Sequence, residues 1–176
     1  MLLFTKHQFF LEKMIMKMIH VRHHEIYIVS PYIELAYLSQ NHVFGRFLFR
    51  AREEGTSVSI ITRPPRPVDF EPFELLEASG INVGFLDDLH SKLYIFDVDV
   101  PRLGVYSRGT RRSAILGSAN MTEPGWGLTT PQLSRRNEEI CYLLPDDAYR
   151  QARGYAQGLQ RRARELSSVR MRAIAH

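Results

Sequence analysis

The chain is 176 residues long with a net charge of +4, one cysteine and an ordinary apolar fraction. That is enough for one domain with a single core, and too short for a second full catalytic domain beside it. A lone cysteine excludes a disulfide framework within the chain, and Cys141, inside Ile140–Leu144, reads as a buried small hydrophobe. Residues 1–19 are broken by Lys6, Glu12, Lys13 and Lys17, so the start lacks both a signal-peptide core and a membrane span. The expectation is a soluble, cytoplasmic protein for which membrane association is unlikely on these grounds.

The positive charge is uneven. Residues 150–176 carry seven arginines against Glu165, a local +6 that leaves −2 for the remainder. Only four of the 23 basic residues are lysines, and Lys92 is the one that lies beyond Lys17. Arginine grips phosphate with a planar fork, so the tail reads either as a polyanion-binding face or as a solvated helix surface.

Residues 5–22 show helical spacing of Phe9, Phe10, Met14, Ile15 and Met18, a stripe suited to core or dimer contact. His20, His23 and His24 cluster at its end without a carboxylate or cysteine at a recognised ligand spacing, so no metal is expected. A strand over 25–30 is ended by Pro31. A helix over 41–54 is stopped by Gly55, and a second strand covers 57–62 before Pro64–Pro65. This strand–helix–strand order implies parallel pairing with a right-handed crossover. A short helix over 70–79 stops at Gly80, a strand runs over 81–86, and a further strand over 89–96. Residues 98–112 read as an arginine-rich hairpin or flap, 113–116 as a buried strand, 140–144 as another, and 146–168 as a helix leading into the basic tail. The alternation predicts an α/β domain with a mixed β-sheet flanked by helices over residues 1–176, with its core at about 25–145, an N-terminal helix at 5–22 and a basic C-terminal helical segment at 146–176.

Chemistry concentrates between His90 and Glu139. His90, Lys92 and Asp97 form His-x-Lys-x4-Asp; Gly117, Ser118 and Asn120 form Gly-Ser-x-Asn; Asn137 and Glu139 form Asn-x-Glu. On a strand His90 and Lys92 share one side while Ser91 and Leu93 take the other, so both side chains aim at one point. Gly117 permits close backbone approach to a ligand. By average residue usage the first element arises by chance in about one chain of this length in a hundred, and the second lowers that by more than an order of magnitude. The set is therefore read as a site.

In this order the motifs resemble those of the phospholipase D superfamily, over roughly residues 25–145. The resemblance implies a phospholipase D-like layered fold and cleavage of phosphodiesters through a covalent phosphohistidine, without cofactor or metal. It implies His90 as nucleophile, Glu139 (or Glu138) orienting the imidazole, Lys92 and Asn120 donating to phosphate oxygens, and Ser118 supporting them. Asp97, counted with this set, has the wrong strand parity to reach the same phosphate and reads as a strand anchor. Two departures matter. Nineteen residues separate Asp97 from Gly117 where the family commonly has a few, which a lengthened hairpin would absorb. The motif also occurs once, whereas the family site uses two histidines, so a homodimer sharing one active site is implied, as in small bacterial endonucleases.

For the substrate, Arg102, Arg108, Arg111, Arg112, Arg135 and Arg136 could flank a nucleic-acid backbone, and Trp126 could stack on a base. A nuclease is the first expectation. A phospholipase or phosphatidyltransferase acting on lipid head groups, and a non-catalytic nucleic-acid-binding or dimerisation module, are the rivals.

Overall fold

The computed structural model describes residues 2–5, 22–99, 110–122, 126 and 139–174. It contains strands β1 (Leu2–Thr5), β2 (His23–Val29), β3 (Ser57–Thr62), β4 (Asn82–Phe85), β5 (Leu93–Asp99), β6 (Thr110–Gly117) and β7 (Ile140–Leu143). Its α-helices are α1 (Leu35–Leu38), α2 (Val43–Glu53), α3 (Glu71–Ala78), α4 (Asp146–Arg162) and α5 (Leu166–Ile174). The strands form one mixed sheet in the order β1-β7-β6-β5-β2-β3-β4. β2, β3 and β4 run parallel, and the other neighbours are antiparallel.

β2 is central and apolar on both faces. Ile26 and Ile28 enter one core with Phe44, Phe47, Leu48, Phe73 and Leu76 of α2 and α3, while Tyr27 and Val29 enter another with Tyr149, Ala156 and Leu159 of α4. A strand turns alternate side chains to opposite faces, so a run without polar interruption marks a strand covered by helices on both sides. The result is a three-layer α/β/α arrangement.

Most expected elements form within a residue or two, and four findings differ. β5 starts at Leu93, so His90 and Lys92 lie on the extended segment before it rather than within the strand. The ladder nonetheless continues one step, with Gly117 N–H donating to the Lys92 carbonyl at 3.2 Å. The basic helical segment breaks at Ala163–Glu165, because the Arg164 backbone leaves the helix to exchange two hydrogen bonds with Phe85 on the edge strand β4. Thr5 closes β1, which pairs with β7, while the rest of the helix expected over 5–22 falls among residues outside those described, apart from Arg22. The segment after Asp97 extends the strands: β5 and β6 pair continuously from Leu93↔Leu116 to Asp99↔Thr110. Lengthening both arms of an antiparallel hairpin moves its turn outward and leaves the open end in register. That is how the long separation leaves Gly-Ser-x-Asn opposite His-x-Lys.

Candidate active site

His90, Lys92, Gly117, Ser118, Asn120 and Glu139 converge at one end of the sheet, while Asn137 lies outside the described residues. β2 and β3 end there at Val29 and Thr62; β5, antiparallel to β2, begins there; β6 ends there at Gly117 and β7 begins there at Ile140. In open α/β sheets ligands bind beyond the carboxyl ends of the parallel strands, where backbone groups and loops leave a crevice. Tyr32, Arg63, His90, Lys92, Ser118, Asn120 and Glu139 all belong to this end.

Buried Leu86 and Leu89 anchor the segment carrying His90, and the Leu86 N–H bonds the Thr62 carbonyl at 2.9 Å. The sides taken by successive residues follow the expected alternation even outside the strand. Ser91 hydrogen-bonds Tyr155 of α4, Leu93 packs in the α4-side core, and the exposed His90 ring turns to Arg63. Lys92 Nζ donates to the His90 carbonyl at 3.0 Å.

On the facing strand, Ser118 has its backbone N–H on the Ile140 carbonyl at 2.9 Å. Its Oγ accepts from the Ile140 N–H at 3.0 Å and donates to the Glu139 carboxylate. The expected partnership of Glu139 with His90 is therefore not the one seen in this chain: Glu139 is held by Ser118, and the imidazole by Arg63, while the alternative, Glu138, lies outside the described residues. Gly117 has a different reason from ligand approach. A Cβ there would lie 2.4 Å from the Ile140 carbonyl oxygen and 2.7 Å from Cys141 Cα, so glycine lets β7 close against β6. Cys141 is buried, and burial pushes its thiol pKa up, which fits a packing role.

Asn120 is positioned by a buried lattice. Tyr94 donates its phenol to the Ala119 carbonyl at 2.6 Å, the Met121 N–H bonds Ser30 Oγ at 2.9 Å, and the Glu34 N–H bonds the Met121 carbonyl at 2.8 Å. Burial drives the Tyr94 pKa strongly upward, so the phenol stays protonated and keeps its donor role. The Asn120 Oδ1 is buried and has no hydrogen-bond partner among the described residues, which leaves polar capacity unused at this end of the sheet.

Two sequence expectations are corrected by packing. Trp126 is 0% exposed, with its ring 4.8 Å from Tyr94, 5.2 Å from Phe44 and 6.3 Å from Tyr37. It is a core residue of the Asn120 lattice and cannot stack on a base. Asp97 lies five residues along from Lys92, roughly 16 Å at the usual strand rise, opposite Glu25 and 3.9 Å from Arg112. It anchors a charged cluster with Arg112, Glu25 and Arg153 away from the site. Arg112 pairs there with Asp97 and lies over the Tyr149 ring, rather than facing a groove beside His90. Arg102, Arg108, Arg135 and Arg136 lie outside the described residues, as does the side chain of Arg111. The basic tail is also largely matched: Arg153, Arg162, Arg164 and Arg170 pair with Glu25, Asp88, Asp87 and Glu74.

Arg63 was not among the sequence candidates. Its Nε donates to the Leu89 carbonyl at 2.9 Å and its Nη1 to the Tyr32 hydroxyl at 2.8 Å. Its Nη2 lies 3.0 Å from His90 Nε2 and 3.3 Å from Nδ1. The available signal was its position, one residue past a parallel strand. Among the described residues no group of three His, Cys, Asp or Glu side chains could hold a metal, and no helix is long and apolar enough to cross a membrane.

Comparison with known proteins agrees with this geometry. No curated protein matches the chain. Among solved structures it is similar to Nuc from Salmonella typhimurium, described as a phospholipase D family member, at 14% identity and TM-score 0.59, covering 86% of this chain and 88% of that one. It is similar to NucT from Helicobacter pylori at 15% identity and TM-score 0.60, covering 92% and 96%. It is also similar to TrmBL2, an archaeal chromatin protein, at 8% identity and TM-score 0.55, covering 93% of this chain and 54% of that one. At such identities the likeness shows a shared fold. The family model described as "Cardiolipin synthase, PLD-like domain" matches residues 15–161, most of the sequence, and with His90, Lys92, Ser118, Asn120 and Glu139 gathered at one end of the sheet the chain belongs to the phospholipase D-like family.

Proposed function

We propose that this chain is a metal-independent phosphodiesterase that cleaves nucleic acid as a homodimer, through a phosphohistidine at His90. The observation that carries the reading is the convergence of His90, Lys92, Ser118, Asn120 and Glu139 at one end of the sheet. A phosphodiester needs a nucleophile that survives as an intermediate, donors for the non-bridging oxygens and an acid for the leaving oxygen.

A ring nitrogen of His90 attacks phosphorus and forms a P–N bond as the P–O bond to the leaving alkoxide breaks. Lys92 and Asn120 donate to the non-bridging oxygens, where charge accumulates, and the Ser118–Glu139 pair fixes that side of the site. The leaving alkoxide takes a proton from a second imidazole, the partner's His90. Water then attacks the phosphohistidine, gives a proton back to that imidazole, and the P–N bond breaks to release phosphomonoester and free His90.

One His-x-Lys motif per chain makes an isologous dimer the simplest source of the second histidine. Leu116, Ile140 and Tyr155 are exposed large side chains beside the motif, and a second copy seated there would cover them. A nucleic-acid substrate is favoured over lipid by the arginines in the sequence at 102, 108, 111, 135 and 136. Exposed Tyr32 beside Arg63 supplies the aromatic ring that Trp126 does not. The shared fold of TrmBL2, whose structure is described as showing a novel mode of DNA binding, is compatible with that choice.

The test is cleavage of single- and double-stranded DNA and RNA in excess EDTA, comparing the protein with His90→Ala while light scattering reports the oligomer. EDTA-resistant cutting that His90→Ala abolishes is expected. If neither protein cuts, the nuclease reading fails; head-group release from vesicles would then assign the site to lipids, and salt-dependent binding without cleavage would indicate a binding module.

A further inference from the structure

Most of the arginines whose contacts are described face a carboxylate: Arg50, Arg66, Arg112, Arg153, Arg162, Arg164 and Arg170. Arg46 and Arg52 bond the carbonyls of Asn41 and Gly80, and Arg63 is set apart by its place, against the ring of His90. The hydrogen-bond partners of Arg63 are a carbonyl, a phenol and an imidazole, all uncharged acceptors when they meet a guanidinium. The hydrogen bond of Lys92 likewise goes to a carbonyl, that of His90. Two cations whose hydrogen-bond partners are neutral therefore flank one exposed imidazole. Such an arrangement is electrostatically incomplete and selects an anion.

The guanidinium is also already aimed. Of its five N–H donors, Leu89 and Tyr32 take one each and Nη2 faces both ring nitrogens of His90. One N–H remains on Nη1, and with Nη2 turned from the ring the two terminal nitrogens form the pair that a guanidinium presents to two oxygens of one phosphate. The Leu89 and Tyr32 contacts fix the plane from the backbone and from one side. The third contact is the least well aimed: Nη2 lies within 3.3 Å of both ring nitrogens of His90, whose lone pairs diverge, so it points squarely at neither and is the contact most readily exchanged for a charged oxygen.

Resting on the function proposed above, we propose that Arg63 is a phosphate-binding residue of this site. It covers the imidazole nitrogens and transfers its Nη2 donor from His90 to a non-bridging phosphate oxygen when substrate enters. The same movement neutralises the incoming anion and uncovers the nucleophilic nitrogen.

The test uses inorganic phosphate as probe, titrated calorimetrically into the full chain and into Arg63→Ala, Arg63→Lys and Arg170→Ala, with thermal melts confirming folding. Loss of charge-assisted hydrogen bonds predicts that Arg63→Ala binds phosphate about ten- to a hundredfold more weakly. Arg63→Lys, which keeps the charge without the fork, is expected to be several-fold weaker and decides the matter if Arg63→Ala does not fold. Arg170→Ala removes the same charge from a guanidinium paired with Glu74 and should bind phosphate as the unaltered chain does. Wild-type affinity in the Arg63 variants, or a loss in Arg170→Ala equal to that in Arg63→Ala, overturns the proposal. Parallel cleavage assays separate the two claims. Arg63-dependent phosphate binding without cleavage sinks the phosphodiesterase reading alone. Cleavage and phosphate binding that ignore Arg63 sink the Arg63 proposal alone.

Discussion

Tyr94→Phe removes one oxygen atom and tests how the fold delivers Asn120. Tyr94 is buried, and its hydroxyl donates to the Ala119 carbonyl at 2.6 Å, one residue before Asn120. The substitution keeps the ring, and with it the edge contact to Trp126. The loss is the hydrogen bond to Ala119, the hydroxyl's contacts with the Ser30 and Trp126 side chains, and the solvation of the carbonyl left behind. An unsatisfied buried acceptor costs about 1–3 kcal/mol. For a domain of this size that corresponds to a fall of roughly 2–10 °C in Tm. Asn120 also loses its nearest backbone anchor, so turnover should fall by about tenfold or more, short of the hundred- to thousandfold expected for deleting a donor outright. Asn120→Ala gives the complementary pattern, with the larger loss of turnover and little change in Tm. Chemical denaturation and single-turnover cleavage of both variants check the pair. Unchanged stability and turnover in Tyr94→Phe would refute the claim that this phenol holds the Asn120 segment.

Three further outcomes follow from packing and charge. Gly117→Ala drives a methyl group into the Ile140 carbonyl and the Cys141 backbone, so β6 and β7 must separate; a loss of about 1–3 kcal/mol is expected by denaturant titration, and an unperturbed midpoint would show that the two strands yield freely. Trp126→Ala should cost about 3–5 kcal/mol as a core deletion, while Trp126→Phe leaves nucleic-acid affinity unchanged in a salt titration; a selective loss of binding by a fully stable Trp126→Phe would restore the base-stacking role. His42 accepts the Phe44 N–H at the start of α2, and burial, assisted by Arg46, lowers its pKa below the ordinary histidine range. A base whose pKa falls on folding contributes fully above its ordinary value, about 6.5, and loses that contribution as the pH drops through the lowered folded value. His42→Asn keeps a capping acceptor and should flatten this acid-side slope in stability, so an unchanged slope would place the titrating group elsewhere.

The site was legible where a short-range pattern sufficed. The two-residue spacing of His90 and Lys92, and of Ser118 and Asn120, needs only strand periodicity, and pairing of β5 with β6 then sets the two dipeptide steps side by side. Contacts distant in sequence were opaque. Arg63 meets His90 across 27 positions, and nothing near Arg63 encodes that approach. β1 was invisible because Leu2–Thr5 becomes a strand only through β7, at the other end of the chain. Trp126, between glycines 125 and 127, looked like a surface loop residue; its burial depends on a pocket built from Tyr37, Phe44 and Tyr94, three separate elements. The break at Ala163–Glu165 carries no glycine or proline, and arises from backbone bonds to an edge strand that the local sequence does not mention.

The central claim is a covalent phosphorus–nitrogen bond at His90. The most direct measurement is an acid-free quench of the protein turning over an end-labelled oligonucleotide in EDTA, followed by peptide mapping of the labelled chain. Label on the peptide containing His90, lost on brief acid treatment and absent from His90→Ala, is the predicted result. Cleavage that proceeds with no labelled protein, or with the label on another residue, contradicts it.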